Sequence, residues 1–265
     1  MKITKILCIA SVCFLFLSCS QNKWEEKGFA VSSSEENDES TTTGIVKDSL
    51  LFETKPSGVL LTGHSQYRLT SIYKVSYSYD KRGEKATAFV GSNHFHQHYY
   101  YENEAENGNC WNHHLFPGLE TVSGYNMVNV SHYDIDSNVQ KYLFKEPVLV
   151  KTLYYPSFSV DTLNYKPVLR NYILVSCYDE DTDKDGYINI RDLRRFYYFD
   201  IKGGNKKSLL SENYSVYKSE YDSGNDYMYV FARLDENKNG KIDENEPIHI
   251  FWIDLKNPNN TGRLY

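Results

Sequence analysis

The chain has 265 residues, of which 29 are Lys or Arg and 35 are Asp or Glu, so its formal net charge is −6 at pH 7. No basic stripe offsets this acidic balance, which argues against nucleic acid as a partner. The chain contains 24 tyrosines and 13 phenylalanines. These residues favour strands, and no helical periodicity of ten or more residues is evident after the amino terminus, so we predict an all-β fold.

The amino-terminal segment predicts export. Lys2 and Lys5 precede an apolar run over residues 6–17, which is followed by Ser18 and Cys19. This run is too short to span a membrane as a helix. It resembles the signal peptide of bacterial lipoproteins, over residues 1–19. The resemblance implies that Cys19 is lipidated and that the protein is anchored in the cell envelope, with the outer membrane favoured; an ordinary secretory signal is the alternative.

Residues 20–44 are rich in Ser, Thr and acidic side chains and almost free of apolar residues after Val31. Such a stretch cannot bury enough surface to fold, and we predict a flexible tether there. Residues 45–265 have a globular composition and are numerous enough for one large domain. After export, Cys110 and Cys177 remain as thiols. They could form a disulfide, or Cys177 could be a small buried residue in a strand.

Three histidines alternate along one predicted strand at positions 94, 96 and 98. On a strand, His94, His96 and His98 would project from the same face. Together with other imidazoles or carboxylates they could bind zinc in a metal-dependent hydrolase; the candidates are His113, His114, His132 and Glu102. No second half of a zinc signature follows, so solvated or stacking histidines are the stronger interpretation and zinc is not expected.

Two stretches, residues 181–192 and 235–246, carry the strongest functional signal. Both place oxygen-bearing side chains at positions 1, 3, 5, 9 and 12, glycine at position 6 and isoleucine at position 8, the pattern of an EF-hand calcium loop. We therefore predict two calcium ions; the alternative is a pair of acidic turns without an ion. The predicted ligands are Asp181, Asp183, Asp185, the Tyr187 carbonyl, Asn189 and Asp192 in the first stretch, and Asp235, Asn237, Asn239, the Lys241 carbonyl, Asp243 and Glu246 in the second.

The runs that flank these stretches are aromatic and β-branched, at 171–178 and 193–201 around the first and 227–233 and 248–255 around the second. They predict strands where an EF-hand has helices. The two copies repeat with a period of 54 residues (235 minus 181), a length typical of repeat architectures.

Strand, acidic loop and strand in this order resemble the blades of bacterial β-propellers of the TolB-like and FG-GAP kinds, over residues 165–265. The resemblance implies metal-ligand roles for the side chains at positions 1, 3, 5 and 9 of both loops, and about four blades in residues 45–265. A β-sandwich is the alternative architecture.

These features lead us to expect a calcium-binding, lipid-anchored surface or periplasmic protein that acts as a binding or assembly module, with calcium in a structural role. A protein or a glycan could be its ligand, and the sequence identifies neither. The alternatives are the hydrolase built on the histidine strand and a calcium-responsive sensor. No known catalytic motif is present in the sequence, so an enzyme is not favoured.

Overall fold

The computed structural model describes residues 28–31, 52–97 and 108–265. The predicted signal peptide with Cys19, most of the predicted tether, and His98 and Glu102 of the histidine segment lie outside these residues. Within the described residues, no helix is long and apolar enough to cross a membrane.

The described residues form nineteen β-strands and no helix, which confirms the all-β prediction. The strands are β1 (Phe29–Ala30), β2 (Thr54–Leu61), β3 (Tyr67–Tyr79), β4 (Lys85–Val90), β5 (His94–Phe95), β6 (Leu119–Ser123), β7 (Met127–Asp134), β8 (Val139–Tyr142), β9 (Leu149–Pro156), β10 (Asp161–Leu163), β11 (Lys166–Val168), β12 (Tyr172–Tyr178), β13 (Tyr187–Ile188), β14 (Arg195–Asp200), β15 (Lys207–Ser208), β16 (Tyr214–Asp222), β17 (Tyr227–Leu234), β18 (Ile248–Asp254) and β19 (Thr261–Arg263).

Three large antiparallel sheets contain most of these strands. The central sheet has six strands in the order β15-β14-β12-β9-β6-β5. A five-stranded sheet has the order β2-β3-β7-β8, with β4 paired to β3, and a four-stranded sheet is the meander β16-β17-β18-β19. Two short pairs, β1-β13 and β10-β11, complete the described sheets.

Strand β12 shows why the central sheet lies between the other two. All seven of its residues are buried, so both faces of the strand must be covered. Alternate side chains point to opposite faces, and Ile173 and Val175 pack in one core with the five-stranded sheet, whereas Leu174 packs in a second core with the four-stranded sheet. Each fully buried side chain of this size contributes about 1.5–3 kcal/mol to stability.

No propeller is detected in the described residues. The three sheets have six, five and four strands, and each outer sheet covers one face of the central sheet. The repeat of 54 residues does not correspond to equal blades. It places two loops at equivalent connections of neighbouring sheets, between β12 and β14 in the central sheet and between β17 and β18 in the four-stranded sheet.

A short strand from the amino-terminal region packs against the first of these loops. Phe29 and Ala30 of β1 pair with Ile188 and Tyr187, and the Val31 amide donates a hydrogen bond of 3.0 Å to the Gly186 carbonyl. Phe29 is buried in a third core that also contains Ile188. Residues 28–31 fall within the predicted tether, yet they lie in a sheet against the core; the remainder of 20–44 is outside the described residues.

Candidate metal centre

Loop 1 (residues 181–192) and loop 2 (residues 235–246) lie side by side at one end of the packed sheets. The Thr182 hydroxyl of loop 1 donates a hydrogen bond of 2.6 Å to the Gly240 carbonyl of loop 2. The Lys241 ammonium of loop 2 is 3.5 Å from Oδ2 of Asp183 in loop 1. Each loop is flanked by the strands that its sequence predicts. The two candidate sites are therefore in direct contact.

In loop 1, the aspartate at position 1 organises the turn. Asp181 accepts hydrogen bonds from the amide of Asp185 (3.0 Å) and from the amide of Gly186 (2.8 Å), one on each carboxylate oxygen. Gly186 has a backbone φ angle of 86°, which residues other than glycine rarely adopt. At the end of the loop, the Asn189 amide donates to Oδ2 of Asp192 at 2.7 Å.

Loop 2 repeats the hydrogen bonds of the aspartate at position 1 and the bond from the position 9 amide to the closing carboxylate. Asp235 accepts hydrogen bonds from the backbone amides of Asn239 (3.1 Å) and Gly240 (3.0 Å), and Gly240 has a φ angle of 73°. The Asp243 amide donates to Oε2 of Glu246 at 3.0 Å. The two loops therefore make matching hydrogen bonds at positions 1, 5, 6, 9 and 12, an arrangement in which alternate side chains can converge on a calcium ion.

The acidic side chains at positions 1, 3 and 5 of loop 1 converge. Oxygen atoms of Asp181, Asp183 and Asp185 all lie within 4.8 Å of one another. Arg191 forms an ion pair of 2.5 Å with Asp185, but the Arg191 side chain is 60 % exposed, so water screens this pair. Three carboxylates at this separation repel one another, and a divalent cation between them would remove that repulsion.

Two carboxylate oxygens in the loops are buried without a hydrogen-bond donor. They are Oδ2 of Asp183, whose side chain is 1 % exposed, and Oε1 of Glu246, a residue that is 9 % exposed. The Lys241 ammonium is 3.5 Å from Oδ2 of Asp183, but neither oxygen accepts a hydrogen bond. A buried carboxylate oxygen without a hydrogen-bond donor is costly and is rare in native proteins. Asp183 is at position 3 and Glu246 at position 12, where calcium ligands are expected. These residues fit calcium because an ion in each loop would satisfy the oxygen in that loop.

The remaining predicted ligands of loop 2 are close together but contact each other directly. The side-chain amides of Asn237 and Asn239 both donate to Oδ2 of Asp243, each at 2.9 Å. The amide oxygen of each asparagine accepts one backbone N–H and keeps a second lone pair. These oxygen atoms are suitable calcium ligands. In loop 2, amide oxygens at positions 3 and 5 replace the carboxylates that loop 1 has there.

The closing residue of loop 1 differs from that of loop 2. Asp192 is fully buried, and its two oxygens accept hydrogen bonds from the amides of Thr182 (2.8 Å) and Asn189 (2.7 Å). Burial raises the pKa of Asp192, although these backbone donors act in the opposite direction. Whereas both oxygens of Asp192 already have donors, Glu246 retains one oxygen without a donor, so loop 2 has the more available closing ligand.

The other predicted ligands occupy different environments. Asn189 is fully buried, and its side-chain oxygen accepts the Arg191 amide at 2.7 Å. Tyr187 at position 7 belongs to β13, and its side chain is exposed. For Lys241, at position 7 of loop 2, the sequence predicted only that its backbone carbonyl would bind calcium. Its ammonium group contacts the other loop, which the sequence pattern did not indicate.

The histidines do not converge into a metal site in the described residues. The rings of His94 and His96 are 5.0 Å apart and nearly perpendicular, and Nε2 of His96 lies 2.7 Å from the Ser123 hydroxyl. His132 contacts the Ile201 carbonyl through Nε2 at 2.8 Å. Among the described residues, the group of three or more side chains that could hold a metal ion lies in loop 1 and consists of Asp181, Asp183 and Asp185.

His114 belongs to a separate buried cluster. Its Nδ1 is 2.6 Å from Oδ2 of Asp161 and its Nε2 is 3.0 Å from Oε1 of Glu120. Burial alone would lower the pKa of His114, but the hydrogen bonds to these carboxylates raise it to about 9. The imidazole is therefore a charged structural group at neutral pH.

The two cysteines within the described residues are free thiols. Cys110 is exposed and Cys177 is buried in β12, so the structure shows no disulfide between them. Burial raises the pKa of Cys177, which makes it a small apolar core residue.

No family model matches this chain, and no curated protein matches it significantly. Any function must therefore be argued from the geometry of the loops.

Proposed function

We propose that loops 1 and 2 each bind one calcium ion, and that the ions have a structural role in a lipid-anchored protein of the cell envelope that acts as a binding or assembly module. One observation carries the calcium assignment. The buried oxygens of Asp183 and Glu246 have no hydrogen-bond donor and occupy expected ligand positions in two loops that make matching hydrogen bonds at positions 1, 5 and 6.

Loop 1 would hold its ion with the more negative set of side chains. Four of its side-chain ligands are carboxylates (Asp181, Asp183, Asp185 and Asp192), and loop 2 has three (Asp235, Asp243 and Glu246). A divalent ion neutralises part of this charge and replaces the repulsion between carboxylates by attraction. Each ion would thereby hold together the ends of two strands that belong to packed sheets.

The surroundings of the loops favour a structural role over that of a sensor. A sensor needs an element with two stable arrangements. Loop 1 is held by β12 and β14, by pairing with β1 and by the hydrogen bond from Thr182 to Gly240. These contacts leave the loop little freedom to move when an ion binds.

Metal analysis of the purified chain tests the calcium sites. We expect two calcium ions per chain, one fewer in Asp183→Asn and one fewer in Glu246→Gln, because each substitution neutralises a ligand with little change of shape. Glu180→Gln and Glu244→Gln are the matched controls, since both remove a carboxylate near a loop but not at a ligand position. Wild-type protein without bound calcium, or equal calcium loss in the controls, would contradict the proposal.

Fractionation of cells tests the anchor separately. Cys19→Ser should release the protein into the soluble fraction, because the apolar run of residues 6–17 is too short to span the bilayer by itself. Retention of the variant in the membrane at the wild-type level would refute lipidation at Cys19 and would leave the calcium sites untouched.

A further inference from the structure

A cleft lies between the central sheet and β16, on the face of the central sheet that packs against the four-stranded sheet. Its volume is ≈ 200 Å³. That is smaller than the roughly 300–1,000 Å³ of pockets for drug-sized ligands. Strand β16 is irregular here, because its pairing with β17 shifts between Val216 and Lys218. The cleft is therefore suited to a small molecule or a small chemical group.

The lining of this cleft combines apolar and aromatic side chains with hydroxyl and cationic groups. Among the described residues that line it there are Arg194, Lys218 and several hydroxyl groups, but no Asp or Glu. Lys218 is an exposed residue paired with Glu220 at 2.5 Å, so its charge is already compensated. Arg194 is the remaining cation, and it determines the electrostatic character of the cleft.

Arg194 has no acidic partner in the part of the chain that the structure describes. Its Nε donates to the Val216 carbonyl, whereas its two terminal nitrogens have no acceptor there. Arg170 shows what a satisfied arginine looks like in this protein: it donates to both oxygens of Asp226, at 3.0 and 2.8 Å. Partial burial of an unpaired guanidinium is unfavourable unless an anion accompanies it.

Two buried hydroxyl groups in the cleft also lack partners. Oγ1 of Thr121 on β6 and Oγ of Ser176 on β12 accept and donate no hydrogen bond in the described protein, and the two residues are 2 % and 4 % exposed. Both line the cleft with Arg194. Leaving a buried hydroxyl without a partner is unfavourable. Three groups that can donate hydrogen bonds therefore face the same small space.

We propose that this cleft binds a small oxyanion, a phosphate or a carboxylate group, with Arg194 as the charged ligand and the hydroxyls of Thr121 and Ser176 as hydrogen-bond donors. Guanidinium groups match the planar geometry of two anionic oxygens. The bound anion would satisfy all three groups at once. This site is independent of the calcium loops and of the proposed anchor.

Isothermal titration calorimetry with inorganic phosphate, and separately with acetate, tests this site. The buffer should contain chloride as the only other small anion and calcium dilute enough for calcium phosphate to stay dissolved. We expect at least one of the two anions to bind the wild-type chain. Binding of phosphate alone would indicate a phosphorylated ligand, and binding of acetate alone a carboxylate ligand.

Substitutions then identify the groups responsible. Arg194→Met should weaken binding at least tenfold, whereas Arg82→Met, which removes an exposed arginine outside the cleft, should leave it unchanged. Thr121→Val and Ser176→Ala should weaken binding several-fold without lowering the melting temperature, because neither hydroxyl has a partner to lose. The proposal is overturned if neither anion binds, or if the affinity is the same in wild type, Thr121→Val and Ser176→Ala.

Discussion

Neutralising Glu246 should have opposite effects on stability with and without calcium. In a chelator, Glu246→Gln should be at least as stable as wild type, because a neutral amide is less costly to bury than a carboxylate with one unpaired oxygen. In calcium, the variant should be less stable, because it loses one ion. At a calcium concentration a hundredfold above Kd, one site adds about 2.7 kcal/mol to the free energy of unfolding.

For a domain of this size, 1 kcal/mol shifts the melting temperature by about 2–4 °C, so loss of one site should lower it by roughly 5–10 °C. Differential scanning calorimetry of wild type, Glu246→Gln and the control Glu244→Gln, each with calcium and with chelator, measures the effect. The reasoning is refuted if calcium does not shift the wild-type transition, or if Glu246→Gln is destabilised equally in both buffers.

Three further predictions concern charged groups. The raised pKa of His114, about 9 against an ordinary 6.5, means that its contribution of about 3 kcal/mol is fully present below pH 6.5 and is lost as pH rises through 9; urea unfolding across this range should show a decline that His114→Gln lacks. Lys241→Met should raise calcium affinity at loop 1 by up to about fivefold, since it removes a cation near Asp183; the Lys241 side chain is 52 % exposed, so water screens the pair to about 1 kcal/mol or less, and calcium titration checks this. Asp226→Asn should lower the free energy of unfolding by about 3–5 kcal/mol because it leaves the buried guanidinium of Arg170 uncompensated, and urea unfolding that matches wild type would contradict this.

Local sequence patterns predicted the features that depend on neighbouring residues. The runs at 171–178 and 227–233 predicted β12 and β17 because aromatic and β-branched residues favour strands, and in β17 buried residues alternate with partly exposed ones. The aspartates of loop 1 were predicted to converge for a similar reason, since spacing around one glycine turn determines where they point.

The arrangement of the sheets could not be predicted in the same way. A repeat of 54 residues is compatible with any architecture that places the two loops in neighbouring sheets, and strand order depends on contacts between residues far apart in sequence. The burial of Phe29 was missed because its partner Ile188 is remote in sequence and residues 32–44 are rich in Ser, Thr and acidic side chains. The contact between Lys241 and Asp183 was missed for the same reason.

The position of β1 determines how tension would enter the molecule. If the proposed lipid at Cys19 anchors the protein, tension enters from the amino terminus, and residues 28–31 are the first described part of the chain to bear the load. Their ladder with Tyr187 and Ile188 has only two residue pairs, far fewer than the ladders of the large sheets. It should open at low force, one hydrogen bond after another. An ion in the proposed site of loop 1 would stiffen the strand to which β1 is paired, so calcium binding would raise the force at which this contact yields.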